Sequence, residues 1–282
     1  MGNESRDRLP NFVIIGAAKA GTTSLARWLF DRSDVFLAEN KEINFFSYEK
    51  VWARGVDWYR SRFATATQPA IGEASPSYLA SDPAPARMAS ILPSARIVAL
   101  LRDPVDRAVS HYRWRRNWQV EHRSLEDALR AEMTDPNPIG YLGDALYASH
   151  LRRWADHFPR ESLLVVGFDA LRDDPHRSYR RVCGHIHLDP GIVPETVGRA
   201  FNASTRVRSV RLWRLVRKRR PGWRGDPGML ARLLIVPDKP PPVPPALRAE
   251  LVEWFRKDVA DLVSWLGDDA DGFPWMATYL GA

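Results

Sequence analysis

The chain has 282 residues, 45% hydrophobic and 27% charged, a balance that excludes the disordered and collagen-like classes and allows a substantial buried core. Lysine and arginine number 41 against 34 acidic residues, a net charge of +7 and a pI near 9.7. That excess favours an anionic partner (a polyphosphate nucleotide, an acidic glycan, nucleic acid or a membrane surface) or serves solubility alone. Cys183 is the only cysteine, which excludes an intrachain disulfide and a cysteine-based metal cluster and fits a reducing compartment.

Residues 1–10 are polar and charged, without the apolar stretch of a signal peptide, and are expected to form a short tail. No window reaches the ~18 uncharged apolar residues of a membrane span. The expectation is therefore a soluble, cytoplasmic protein, and the Arg, Trp and Pro content suggests a high-GC bacterial source. The run Asn11-Phe-Val-Ile-Ile15 ends at Gly16 and suits a strand buried on both faces of a parallel sheet. Leu25, Trp28 and Leu29 then fall on one helix face. Further strands are predicted at Ala70–Glu73, Arg96–Leu101 and Ser162–Val166, with helices over Pro104–Trp118 and Leu146–His157 between them. Asp103-Pro104 is a good helix start, an Asp N-cap before a proline at the first helical position.

Arg206–Pro245 differs in character, basic at first and then proline-dense, and is expected to be an extended loop rather than a sheet element. It is a candidate lid for donor or acceptor, or simply a solvated loop. An amphipathic helix from about Ala246 to Leu266 closes the chain. The predicted fold class is α/β, a P-loop-like three-layer arrangement with a mainly parallel central sheet flanked by helices, as one domain over 11–282.

Strand, glycine turn and helix meet in Gly16-Ala-Ala-Lys-Ala-Gly-Thr-Thr-Ser24. Backbone N–H groups at such a turn converge on one point, with the positive end of the helix dipole behind them, and this binds phosphate. The order departs from the nucleoside-triphosphate loop G-x-x-x-x-G-K-[ST]. Gly16 and Gly21 are correctly spaced, but Thr22 holds the lysine position and the lysine stands earlier, at 19.

Lys-x-Gly-Thr-Thr after an apolar strand resembles the 5′-phosphosulfate loop of sulfotransferases that use 3′-phosphoadenosine 5′-phosphosulfate (PAPS). The resemblance recurs, in order, over residues 11–180. Lys41-Glu-Ile-Asn-Phe-Phe46, Gly55-Val-Asp-Trp-Tyr59 with Phe63, and Glu73-Ala-Ser-Pro-Ser-Tyr78 look like segments of the heparan sulfate N- and 3-O-sulfotransferases. Ala95-Arg-Ile-Val-Ala-Leu-Leu-Arg-Asp-Pro-Val-Asp-Arg-Ala-Val-Ser110 looks like that group's 3′-phosphate strand and helix, and Leu146-Tyr-Ala-Ser-His-Leu-x-x-Trp154 also has a counterpart.

The resemblance implies a set of roles. Lys19 would stand at the bridging oxygen, within a donor-binding set of Lys19, Ala20, Gly21, Thr22, Thr23 and Ser24. Arg102 and Ser110 would take the 3′-phosphate, a fork and a hydroxyl that suit a monoester. Glu42 would be the base that accepts the acceptor's proton; otherwise it is a surface charge beside Glu39, Lys41 and Glu49. Asp103 is an alternative, structural partner for Arg102. Arg107, Arg113, Arg115 and Arg116 read as a solvated helix face, with some facing an anionic acceptor as the alternative.

The chain departs from the glycan enzymes in three places. Ala74 stands where they carry a lysine, their disulfide is absent, and their Gly-Lys-(Ser/Thr)-Lys-Gly-Arg donor loop has no aligned counterpart, only the basic run Arg217-Lys-Arg-Arg220. His185-x-His187 has no third ligand at useful spacing, and no metal is expected. The acceptor is expected to be a small molecule or a glycan, with no nucleic acid partner; the sequence sets no oligomeric state. Two competing readings are a nucleoside-triphosphate-dependent kinase, against which Thr22 speaks, and a basic module binding nucleic acid or anionic lipid, motivated by residues 206–220.

Overall fold

The computed structural model describes residues 8–38, 42–135, 138, 140–201, 205–207, 235–237 and 242–281. Five strands, β1 (Phe12–Gly16), β2 (Val35–Leu37), β3 (Ala70–Ala74), β4 (Arg96–Leu101) and β5 (Leu163–Gly167), form one sheet in the order β2-β3-β1-β4-β5. Every pairing in it is parallel. All residues of β1, β3 and β5 are buried. Successive side chains on a strand point to opposite faces, so burial of all of them means that helices cover both faces. The sheet is thus the middle layer of three. The predicted strands are found within a residue or so of their expected ends; β2, with three residues, is an addition.

Two partners fix the register of β1. Phe12 sits opposite Gly72 of β3 and opposite Arg96 of β4. A Cβ at position 72 would lie 2.2 Å from Phe12 Cζ, so the Phe12 ring occupies the space that the glycine leaves. Helix α1 (Thr22–Phe30) packs on β1, β2 and β3. The short helices α2 (Glu49–Trp52), α3 (Val56–Ser61) and α4 (Ala84–Ile91) lie between β2 and β4 in the chain.

Helix α5 (Pro104–Asn117) follows β4, with Asp103 as N-cap accepting from the Asp106 amide, as the sequence predicts. Then come α6 (Leu125–Met133) and α7 (Tyr147–Ala155), and after β5 the pair α8 (Phe168–Asp173) and α9 (Pro175–His185). The long helix α10 (Pro245–Leu266) buries Leu247, Leu251, Phe255, Val259 and Leu262. These recur at helical spacing, and the helix packs on α7, on α5 and on the last helix, α11 (Met276–Leu280).

The segment 206–245 corrects an expectation. It is not wholly outside sheet structure: β6 (Thr205–Val207) pairs antiparallel with β7 (Ile235–Pro237). Thr205, Val207, Ile235 and Val236 are β-branched residues of high strand propensity. Pro237 ends its strand, opposite Thr205, a position where a missing N–H is tolerated. The basic run Arg217–Arg220 lies outside the described residues. No helix among the described residues is long and apolar enough to cross a membrane.

Candidate active site

The loop between β1 and α1 is shaped by steric exclusion. A Cβ on Gly16 would stand 2.7 Å from Leu79 Cβ. Gly21 caps α1 with φ +92°, and a Cβ there would come within 2.9 Å of Leu171 Cδ2. Lys19, between them, also has positive φ, +74°, a sparsely populated conformation for a residue with a side chain. Ala17 donates to Leu100 O at 2.7 Å, which ties the loop to β4. Helix α1 begins at Thr22, so the N–H groups of its first turn face the loop.

The hydroxyls expected in the donor-binding set separate. Thr22 is buried and Thr23 half-buried at the start of α1. Ser24 Oγ accepts from the Phe201 amide at 3.0 Å, and Trp28 Nε1 donates to Arg199 O at 3.1 Å. The Ser24 hydroxyl is therefore engaged in holding the 199–201 segment against α1.

Arg102 stands just past the end of β4. Its Nη1 donates to Lys19 O at 3.4 Å, and its guanidinium lies 4.7 Å from the centre of the Phe168 ring. The Arg102 carbonyl accepts from Tyr147 Oη at 3.0 Å. Arg102 thus touches the phosphate loop and opens on a cavity of about 360 Å³, also lined by Phe168, Arg172 and Trp275. Asp103 is engaged elsewhere, by the Asp106 amide at 2.8 Å and by Tyr279 Oη at 3.1 Å. Burial raises its pKa. Ser110 is half-buried in the second turn of α5.

Arg107 corrects the reading of α5 as a solvated arginine face. It is fully buried. Its Nη2 donates to Gly140 O and to Tyr141 O at 2.7 Å each, and its Nη1 donates to Ala18 O at 3.5 Å. A buried cation is tolerated only with such partners, and these join the phosphate loop to the 140–144 segment. His111 neighbours this group. Burial above all, then the charge of Arg107, with Lys19 and Arg115 adding, pulls its pKa down to about 3. The imidazole is neutral near pH 7, and the depression registers a positive field at the loop. Lys19 Nζ lies 6.0 Å from the centre of the Trp114 ring, an exposed indole.

Glu42 is exposed and follows residues 39–41, so Lys41 and Glu39 lie outside the described residues. Its φ is +70° and its amide donates to Ala74 O at 2.9 Å, which fixes it at the carboxyl end of β3. The segment Glu73-Ala-Ser-Pro-Ser-Tyr78 holds a function that its sequence does not announce. Glu73 is buried, accepting from Tyr59 Oη at 2.6 Å, Ser75 Oγ at 2.8 Å and Tyr78 Oη at 3.1 Å. The nearby tyrosines, Tyr59 and Tyr78, would have signalled an acceptor among them. His185 Nε2 lies 3.1 Å from Ile97 O and His187 meets Arg96, and no metal-binding cluster occurs among the described residues.

In the order β3-β1-β4, the carboxyl ends of three adjacent strands meet Glu42, docked on Ala74, then the Lys19 loop and Arg102, at the edge where open α/β sheets bind ligands. The family described as Sulfotransferase domain matches residues 9–205, which span all three. The chain belongs to the sulfotransferase domain family.

Among its relatives, the human bifunctional heparan sulfate N-deacetylase/N-sulfotransferase 3 is 34% identical over 185 residues, 60% of this chain and 21% of that protein. The chain therefore spans about a fifth of that relative's length. The mouse heparan sulfate glucosamine 3-O-sulfotransferase 3A1 is 32% identical over 190 residues, 66% of this chain and 48% of that one. A sulfotransferase crystal structure from Alicyclobacillus acidocaldarius superposes with a TM-score of 0.70 at 28% identity, over 92% of this chain and 96% of that one. The structure of the mouse sulfotransferase SULT7A1 complexed with PAP, the desulfonated product of PAPS, shares the fold, with a TM-score of 0.57 at 14% identity over 94% and 89% of the two chains.

Proposed function

We propose that this sulfotransferase-family protein moves a sulfuryl group from PAPS to a hydroxyl or amine of a carbohydrate, lipid or secondary-metabolite acceptor. The observation that carries the reading is the alignment of Glu42, the Lys19 loop and Arg102 on three neighbouring strand ends. PAPS carries a phosphosulfate and, separately, a 3′-phosphate. The chain offers an N–H-rich loop with a lysine, and beside it an arginine touching that loop, two cationic positions for two anionic groups. In a reaction of this kind the acceptor atom forms its bond to sulfur as the sulfur–bridging oxygen bond breaks. Negative charge then develops on the departing phosphate.

Lys19 and the first-turn amides of α1 are placed to receive that charge. The buried Arg107 braces the same loop, ion-paired with Asp144 at 3.7 Å. Glu42 takes the acceptor's proton. The displaced lysine and Thr22 weigh against a nucleoside-triphosphate kinase, and the basic segment that motivated a nucleic-acid or lipid module lies largely outside the described residues.

Calorimetry with PAP, and with adenosine 5′-phosphosulfate, which lacks the 3′-phosphate, tests the reading on the wild type and Arg102→Ala. The substitution is expected to weaken PAP by roughly 10-fold or more, the size of a charge-assisted hydrogen bond, and to leave adenosine 5′-phosphosulfate within about 2-fold. Equal losses remove Arg102 from the 3′-phosphate role. Binding of ATP–Mg²⁺ with none of micromolar PAP overturns the proposed reaction. An acceptor screen with labelled PAPS then identifies the substrate.

A further inference from the structure

We propose that Glu73 is a positioning residue for Glu42, acting through the hydroxyls of Ser75 and Tyr78, which clamp the backbone of the segment that carries the base. This deepens the reading of Glu42 as the base and rests on it. Glu73 itself is 1% exposed and sits at the end of β3, one residue before Ala74, whose carbonyl holds the Glu42 amide.

The geometry is a relay of fixed hydrogen-bond sense. A hydroxyl has one hydrogen to give. Ser75 Oγ gives its hydrogen to Glu73 at 2.8 Å, so it can only accept from the Asn44 amide, 3.0 Å away. Tyr78 Oη gives its hydrogen to Glu73 at 3.1 Å and accepts from the Phe45 amide at 2.9 Å. One carboxylate thereby sets the direction of both contacts to the residues two and three places after Glu42. Tyr59, the third hydroxyl on Glu73, stacks its ring on Phe45 at 4.6 Å between centres, so the same carboxylate also braces the side chain there.

The clamped segment needs external support. Glu42 has φ +70° and Asn44 has φ +56°, conformations that cost free energy for residues with a Cβ and persist only where surroundings enforce them. Asn44 adds a further tie, accepting from Ser77 Oγ at 2.6 Å. A buried carboxylate is a costly way to fill a core position; apolar residues of similar size would serve stability as well or better. What a carboxylate supplies, and an apolar residue does not, is acceptor capacity on both oxygens, which leaves Ser75 and Tyr78 as acceptors toward the backbone.

Glu73→Gln replaces one accepting oxygen with a donating NH₂ group, so the pair of hydroxyls on that oxygen, Tyr59 and Tyr78 on Oε1 or Ser75 and Tyr78 on Oε2, loses its common acceptor and the clamp on Asn44 and Phe45 loosens. Three measurements follow on the full chain: PAP affinity by calorimetry, amide exchange of the peptide covering Asn44 and Phe45, and turnover of labelled PAPS. Turnover is read as transfer to a heparosan oligosaccharide or as sulfate released to water. Expected for Glu73→Gln are PAP affinity within about 2-fold, exchange at Asn44 and Phe45 at least roughly 10-fold faster, and kcat lower by on the order of 10- to 100-fold with little change in KM for PAPS. In a Glu42→Gln background the same substitution is expected to lower kcat no further.

Unchanged exchange and unchanged kcat overturn the proposal. So does a loss of PAP affinity in parallel with kcat, which is the signature of a general structural role. Should Glu73→Gln fail to fold, Ser75→Ala, which removes the Asn44 clamp alone, is expected to give the same kcat loss in smaller measure, and its absence is equally decisive. Full activity in Glu42→Gln alone sinks the reading of Glu42 as base, while the exchange result at Asn44 and Phe45 still reports on the clamp.

Discussion

The carboxyl group of Glu73 is withdrawn from water yet surrounded by three hydroxyl donors, and the two influences oppose each other. Burial dominates and pushes its pKa up to about 7; the hydrogen bonds from Tyr59, Ser75 and Tyr78 hold it down only in part. An unfolded glutamate titrates near 4.5, so between pH 4.5 and 7 the folded chain binds more protons than the unfolded one. Stability from this group is therefore fully present below pH 4.5 and is lost as pH rises toward 7. At ~1.4 kcal/mol per pH unit of difference, the loss is on the order of 3 kcal/mol. The unfolding free energy of the wild type measured against Glu73→Gln should accordingly fall from pH 5 to pH 7.5. A difference independent of pH would mean that Glu73 titrates at its ordinary value. His111 gives a slope of opposite sign: its folded pKa of about 3 lies below the unfolded value of 6.5, so its contribution is present above pH 6.5 and lost as pH falls toward 3, and it cancels in the comparison with Glu73→Gln.

At the scale of elements, contact between β1 and β3 depends on an absent side chain. With Phe12 Cζ only 2.2 Å from where a Cβ at position 72 would be, Gly72→Ala must displace the ring or part the strands. Overpacking of this kind costs ~1–3 kcal/mol. Thermal or urea unfolding should show that loss, and Phe12→Leu in the same chain should recover part of it, since a smaller side chain leaves room for the methyl. Non-recovery would place the strain in the backbone rather than the ring.

The same strands show what a sequence discloses. β1, β5 and, after Arg96, β4 are apolar runs between turn signals, and the strand–glycine turn–helix order marks the loop. β2 has three residues and too little periodicity to read. The pairing of β6 with β7 joins segments separated by basic and proline-rich chain, whose composition argues for a loop. Arg107 looks like its neighbours Arg113, Arg115 and Arg116, and only the carbonyls of Gly140 and Tyr141, on another segment, single it out as buried. Ser24 reads as part of the donor loop, and nothing near it announces that its Oγ also accepts from the Phe201 amide on a distant segment. Local pattern encodes elements; the partners that decide a polar side chain's duty come from distant chain.

Over the whole molecule, PAP bound as proposed would join the loop after β1 to the end of β4, so its binding free energy would add to the stability of the complete fold. PAP at 100 times its dissociation constant should raise the unfolding free energy by ~2.7 kcal/mol, an upward shift in Tm of on the order of 5 °C for a chain of this size. Arg102→Ala, weakening PAP about 10-fold, should remove about half of that shift at the same PAP concentration, and more if the weakening is larger. The net charge of +7 makes the shift shrink as salt rises, because attraction between exposed charges is screened.

The position of β1 carries one more consequence, for the order in which the molecule can be assembled. Of the five strands in the sheet, β1 is the first to be made, yet it is the central strand of the finished sheet, flanked by β3 and β4. Phe12 meets its ladder partners, near Gly72 and Arg96, only after long stretches of chain have followed it. Until then Phe12–Ile15 is an apolar ribbon with both edges open, the form most prone to pair with a stranger. Lys19 leaves the ribosome before Arg102, and the two meet only once β4 has docked, so a nascent chain has nothing with which to recognise a nucleotide until its sheet is built.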